Sequence, residues 1–178
     1  MNTGTAETRT IDARNPRTGK LDYSFEVTPT IDIENTVQEV RSNQPKWASL
    51  TVDERADILR EWANVVSKSS DLLDALVTDT GRYFIATAEI ENLAKSIEGW
   101  HMIGRQVFAE QEPIQSSAPS VIYSHQYKPF EVVGIVGPWN FPFLISLIDL
   151  LPALMAGSAA ITKPSEITPR FIKPLQET

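Results

Sequence analysis

Residues 129–168 read PFEVVGIVGPWNFPFLISLIDLLPALMAGSAAITKPSEIT, and this stretch decides the fold. Phe130 to Val136 is an apolar, β-branched run of the length of one buried strand. Gly137-Pro138 ends it with turn residues. Phe141 to Ala156 is an apolar run of helical length, and Pro142 is tolerated in the first turn, where a backbone N–H has no helical partner. Gly157 stands where a helix ends in the left-handed conformation. Ala159 to Thr162 is a second short buried strand, closed by Lys163-Pro164. Strand, crossover helix and strand of these lengths form a βαβ unit with parallel strands and a right-handed connection.

That topology carries a functional expectation. In open parallel sheets, ligands bind outside the carboxyl ends of the strands. Here those ends carry Pro138-Trp139-Asn140 and Lys163-Pro164-Ser165-Glu166. The Asn140 amide donates hydrogen bonds without titrating, so it suits an oxyanion formed by attack on a carbonyl. It equally suits capping of the next helix. Lys163 and Glu166 are three residues apart and can grip a ribose diol, one donating and one accepting. They can also form an ordinary surface ion pair.

Upstream, Thr10 to Arg14 and Leu21 to Val27 read as short strands joined by the turn residues Asn15 to Gly19. Ile33, Val37 and Val40 mark a helix from about Ile31 to Ser42, which Pro45 should end. Thr51 and Glu54 form a capping box ahead of a helix whose inward face reads Ile58, Leu59, Trp62, Val65 and Val66. A helix over Asp71 to Thr80 stops at Gly81, and Phe84 to Arg105 is a longer one with Leu93, Ile97 and Trp100 facing inward. This helical layer should pack on the sheet that begins at Phe130. From Val121 to Lys128 the residues alternate with the period of a strand, polar and aromatic on both faces, which suggests an exposed ribbon. The expected division is 1–114 for strands and helical layer, 115–128 for the ribbon and 129–178 for the βαβ core. Met1 to Thr8 is expected to be disordered.

A net charge of −7 argues against nucleic acid or an anionic membrane as partner. The apolar content of 42% supports a real core. Asp149, Pro142, Pro152 and Gly157 interrupt the apolar run from Phe141 to Ile161, so a soluble helix and strand fit it better than a membrane span. Cysteine is absent, which excludes disulfides, thiolate metal sites and a thiol nucleophile from these 178 residues. His101 and His125 have no second ligand at metal-binding spacing, so no metal site is expected. The start, MNTGTAETRT, lacks an apolar signal core, and a cytoplasmic location is expected.

Three motifs carry a family resemblance: Gly137-Pro138-Trp139-Asn140-Phe141-Pro142, then Pro152-Ala153-Leu154 with Gly157, then Lys163-Pro164-Ser165-Glu166 with Thr168-Pro169. In order and spacing they resemble the aldehyde dehydrogenase superfamily, whose chains are longer, so the match is to its N-terminal portion. The resemblance implies an α/β fold: a helical layer followed by the start of a Rossmann-like cofactor-binding domain, with the ribbon as an oligomerisation hairpin. It implies oxidation of a small aldehyde to a carboxylic acid with NAD as hydride acceptor, NADP being possible, in a full-length homodimer or homotetramer. Asn140 would serve the oxyanion hole. Val136, Gly137, Pro138 and Trp139 would line the nicotinamide side. Lys163, Ser165 and Glu166 would form the other half of the cofactor site, the lysine and glutamate holding the adenine ribose. A glutamate there repels a 2′-phosphate and favours NAD. Phe141, Ile145 and Ile148 would line the substrate tunnel. Asp149 stands where many members carry a lysine and inverts its charge, so no proton relay is carried over at that position. The family's nucleophile is a cysteine, which these residues lack, so the chain alone is expected to be inactive. The alternative is a non-catalytic nucleotide-binding or oligomerisation module derived from that family.

Overall fold

The computed structural model describes residues 9–109 and 112–178; the segment expected to be disordered, Met1 to Thr8, lies outside the described residues. The chain opens with β1 (Thr10–Arg14) and β2 (Leu21–Glu26), an antiparallel pair. Asn15 builds the turn by accepting from the Arg17 N–H at 2.9 Å, and Gly19 supplies the positive φ of 71°.

Helix α1 (Thr30–Ala48) runs through Pro45, where the sequence suggested a stop. Proline removes one helical hydrogen bond. Side chains on either side of it bond to the end of a helix distant in sequence and hold the turn: Gln44 Nε2 donates to the Gly157 carbonyl at 2.9 Å, and Trp47 Nε1 to the Leu154 carbonyl at 2.8 Å. The first turns of α1 are less buried than the spacing implied, with Ile31 and Ile33 exposed.

Helix α2 (Val52–Val66) starts at the expected capping box: Glu54 N–H donates to Thr51 Oγ1 at 3.2 Å, and Thr51 N–H to Glu54 Oε2 at 2.7 Å. Its buried stripe is Ala56, Leu59, Ala63 and Val66, while Ile58 and Val65, expected inward, are exposed. The alanines are the physical reason, since small side chains let neighbouring helices approach closely on that side. Helix α3 (Ser70–Thr80) is capped by Ser69 and ends at Gly81 with φ 69°. Helix α4 (Tyr83–Val107) buries Ala86, Glu89, Ile90, Leu93 and Ile97. Arg60 and His101 staple α2 to α4: Arg60 donates to His101 Nδ1 at 2.8 Å, which leaves Nε2 to donate to Asp53 at 2.6 Å.

Strands β3 (Ile114–Gln115) and β4 (Ile122–Tyr123) form a short, exposed antiparallel hairpin. The alternation from Val121 to Lys128 thus yields only two strand residues, because the rest has no pairing strand among the described residues.

The βαβ unit follows: β5 (Val132–Val136), α5 (Pro142–Ala156) and β6 (Ala159–Lys163), the strands parallel with Val136 opposite Lys163. Gly157 closes α5 with φ 99°. The strands are less buried than their composition suggested: Ile135 is buried, but Val136 is 76% exposed and β6 is half-buried. Among the described residues this sheet has two strands only, so neither is flanked on both sides. The helical layer packs chiefly on α5 rather than on the sheet. The core joins Leu59, Leu72, Leu76, Leu93 and Ile97 to Phe143, Leu147, Leu151 and Met155 of α5. A last helix, α6 (Ile172–Gln176), follows Phe171, whose ring meets Phe143 edge-on at 6.4 Å.

Candidate active site

Parallel pairing brings the two predicted polar clusters to one rim. The Gly137 N–H donates to the Lys163 carbonyl at 2.9 Å, one step past the last strand pair. Thr168 Oγ1 donates to the Trp139 carbonyl at 3.5 Å and ties the second loop to the first. A Cβ at Gly137 would lie 2.0 Å from Ser146 Oγ, so a larger residue there would displace that hydroxyl.

Lys163 Nζ stands 2.8 Å from Glu166 Oε2, with the two side chains 61% and 57% exposed. The Lys163 hydrogen bond, the residue's own backbone N–H and the lysine charge hold the Glu166 carboxyl below its usual range. The pair is a donor and an acceptor held ready at a strand end. Ser165 is buried, and its Oγ accepts from the Ile167 N–H at 3.2 Å, so it shapes the loop. On the other loop Val136 and Trp139 are exposed, while Pro138 is half-buried. Phe141 and Ile145 are half-buried and Ile148 is exposed; they lie along one stripe leading from the turn down α5. Asp149 is exposed.

Asn140 is half-buried at the centre of the rim. Its carbonyl accepts from the Arg82 guanidinium, which also stands 5.0 Å over the Phe141 ring. Its side-chain amide makes no hydrogen bond among the described residues, and α5 has no cap from its preceding side chains. The cap comes from Glu89 of α4, whose Oε2 accepts from Phe143 N–H at 3.0 Å and Leu144 N–H at 2.8 Å. Burial pushes the Glu89 carboxyl up, against the opposing pull of those two N–H groups and of Arg82. Arg82 and Glu89 were not singled out in the sequence. Glu89 had a visible signal, a charge in the inward stripe of Ala86, Ile90, Leu93 and Ile97. Arg82 had none beyond following Gly81.

A second ionic group braces the rim from behind. The Arg170 N–H donates to Asp79 Oδ2 at 2.8 Å, and its guanidinium bonds Asp79 and Asp22 while lying 5.1 Å from the Tyr23 ring centre. Burial pushes the Asp79 carboxyl up, and its bonds to Arg170 partly offset this. The group fastens the segment after β6 to the N-terminal hairpin. Beside it, a cavity of about 170 Å³ opens between Arg82, Trp139 and Thr168. That is below the several hundred Å³ of a typical cofactor pocket. Among the described residues there is no cluster of His, Cys, Asp or Glu able to hold a metal, and no helix long and apolar enough to cross a membrane.

The sequence matches the model of the aldehyde dehydrogenase family over residues 3–177. The structure is similar to that of PutA from Anabaena variabilis, assigned as an aldehyde dehydrogenase, with a TM-score of 0.89 and 38% identity over 95% of this chain and 36% of that one. It is similar to succinate-semialdehyde dehydrogenase from Burkholderia pseudomallei, with a TM-score of 0.84 and 26% identity over 95% of this chain and 35% of that one. It also shares the fold of betaine aldehyde dehydrogenase from Staphylococcus aureus in complex with NAD+, with a TM-score of 0.80 and 24% identity over 94% and 35% of the two chains. The 178 residues thus span little more than a third of the solved structures they match.

Proposed function

The chain belongs to the aldehyde dehydrogenase family, as its N-terminal portion, and from that premise we propose that it forms part of an enzyme oxidising an aldehyde to a carboxylic acid with NAD. The observation that carries this reading is the state of Asn140. Its amide is left free at the carboxyl ends of both parallel strands, while a residue of another helix caps α5 in its place. An unengaged amide fixed by its own backbone suits a negative oxygen that develops during reaction.

The nicotinamide cofactor would accept the hydride. Lys163 and Glu166 fit its adenine ribose, since the exposed pair sets an ammonium beside a carboxylate, a donor and an acceptor for one diol, with Nζ also donating to the Pro164 carbonyl at 3.1 Å. Glu166 repels a phosphate on the 2′ oxygen, so NAD is favoured and NADP remains the weaker ligand. Ser165 contributes by holding the loop. Val136, Gly137, Pro138 and Trp139 lie along the rim where the nicotinamide end would rest. Asn140 donates to the substrate oxygen as it gains charge. Phe141, Ile145 and Ile148 make the approach apolar, which fits an aldehyde with a hydrocarbon portion near its carbonyl. The thiol nucleophile would come from outside the 178 residues, which contain no cysteine. The exposed β3–β4 hairpin would serve a homodimer or homotetramer.

The absence of cysteine favours one second reading, a nucleotide-binding or oligomer-forming module without catalysis. Purifying the native protein decides between them. A mass well above 19.9 kDa with aldehyde-dependent NADH formation supports the enzyme. A mass near 19.9 kDa with nucleotide binding but no turnover supports the module.

A further inference from the structure

Three helices of this chain begin in contrasting ways. Helices α2 and α3 are capped locally, by Thr51 and by Ser69. Local caps cost little and are the usual solution. Helix α5 has an asparagine, a favoured capping residue, two positions before its first turn, yet that side chain is not used. Its first turn has Pro142, with no N–H to satisfy, followed by Phe143 and Leu144, whose N–H groups both go to Glu89. The arrangement is expensive. Glu89 is 1% exposed and its other oxygen, Oε1, has no partner among the described residues. An unsatisfied buried carboxylate oxygen costs stability that a serine before the helix would not.

We propose that Glu89 and Arg82 are positioning residues for Asn140: Glu89 takes over the cap of α5, Arg82 holds the Asn140 backbone carbonyl, and the Asn140 amide is thereby left free on a backbone held in place. The geometry supports each part. Arg82 follows Gly81, whose left-handed backbone turns the chain from α3 into α4 and aims the guanidinium at the Asn140 carbonyl and the Phe141 ring. Glu89 stands seven residues on, two helical turns, and reaches the next two free N–H groups. The turn is therefore gripped at residues 140, 141, 143 and 144 by α4 and the residue just before it, while Gly137 is bonded to β6. Donors that stabilise a developing charge act only when held in place beforehand, and the groups that hold them matter as much as the donor.

The inference rests on the aldehyde-oxidising reading above, and its test separates the two. The protein at its native length is compared with Glu89→Ala, Glu89→Gln, Arg82→Met and Asn140→Ala variants, and with Asn140→Ala combined with Glu89→Ala. Glu89→Ala should lower kcat by about 10- to 100-fold with little change in KM for NAD, the cost of a displaced catalytic group. Glu89→Gln keeps an acceptor oxygen and should restore most of that loss. Arg82→Met should fall between them. The double variant should be no slower than Asn140→Ala alone, because Glu89 then has nothing left to position. Folded Glu89→Ala and Arg82→Met variants with parental kcat overturn the proposal, as does a double variant slower by the product of the two single losses. If the native protein has no turnover at all, the enzymatic reading fails instead. Hydrogen exchange and melting then decide the positioning. Phe143 and Leu144 amides must exchange faster in Glu89→Ala, and Asn140→Ala must leave the melting temperature unmoved. A lowered melting temperature in Asn140→Ala makes Asn140 a helix cap and overturns the proposal.

Discussion

The two ends of α5 are held by other helices, but to opposite effect. At the carboxyl end, Trp47 bonds the Leu154 carbonyl, Arg55 Nε bonds Met155 at 3.0 Å, and Gln44 bonds Gly157. Gly157 and Ser158 turn back onto α5 through their own N–H groups. The side chains of Gln44, Trp47 and Arg55 are engaged there, and Gln44, Arg55 and Ser158 are buried. At the amino end, Glu89 and Arg82 satisfy the backbone and leave the Asn140 amide open on the rim. Both ends answer the same need, since a helix leaves N–H groups and carbonyls without partners at its termini. The closed end spends its polar groups on stability. The open end leaves the Asn140 amide without a hydrogen-bond partner among the described residues, which is the feature the proposed role rests on.

The sharpest way to break this contrast is to remove Asn140. In the native-length protein, Asn140→Ala should lower turnover by about two to three orders of magnitude, the usual cost of one oxyanion donor. The NAD dissociation constant and the melting temperature should hardly change. Loss of stability with full activity would move Asn140 to the structural class.

The closed end should respond in the opposite sense. Arg55→Met leaves the Met155 carbonyl buried without its partner and should destabilise by about 1–3 kcal/mol in denaturant unfolding. Turnover per folded molecule should stay at the parental value. An activity loss larger than the folded fraction explains would show that the two ends are coupled.

Lys163 tests the rim beyond the turn. An ion pair this exposed contributes about 0–1 kcal/mol, so Lys163→Ala should leave unfolding unchanged. If the lysine grips a ribose, calorimetry should show NAD affinity reduced by about tenfold, with kcat at saturating NAD intact. Unchanged affinity would return Lys163 and Glu166 to an ordinary surface pair.

The smallest effect concerns pH. Burial raises the Glu89 carboxyl above its usual value of 4.5, so between that value and the raised one the folded state binds more proton than the unfolded. Stability contributed by this group therefore falls as pH rises through the window and is regained on acidification. Replacing Glu89 with Gln removes the titration. The difference in unfolding free energy between parent and Glu89→Gln should shift in the parent's favour as pH is lowered from 7 towards 5. A pH-independent difference would mean that Glu89 is not raised.

Much of this contrast was hidden from the sequence, and the reason is distance along the chain. What the sequence settled by itself was local. The periods of residues 130–162 gave strand, helix and parallel strand, because each element carries its own hydrophobic pattern. Gly81 and Gly157 marked two helix ends because the left-handed backbone there favours glycine. Thr51 and Glu54 announced their capping box because both partners lie within one turn. The rim clusters of Asn140 and of Lys163 with Glu166 followed from the topology of those same strands. The tertiary structure decided which groups are spoken for. Pro45 should have ended α1, yet contacts of Gln44 and Trp47 across 113 and 107 residues carry the helix past it. Glu89 reaches Phe143 across 54 residues, and Arg82 reaches Asn140 across 58. No local period encodes such a meeting. A side chain such as Asn140 is left without a capping task only when its neighbours in space, not in sequence, have met the backbone's needs.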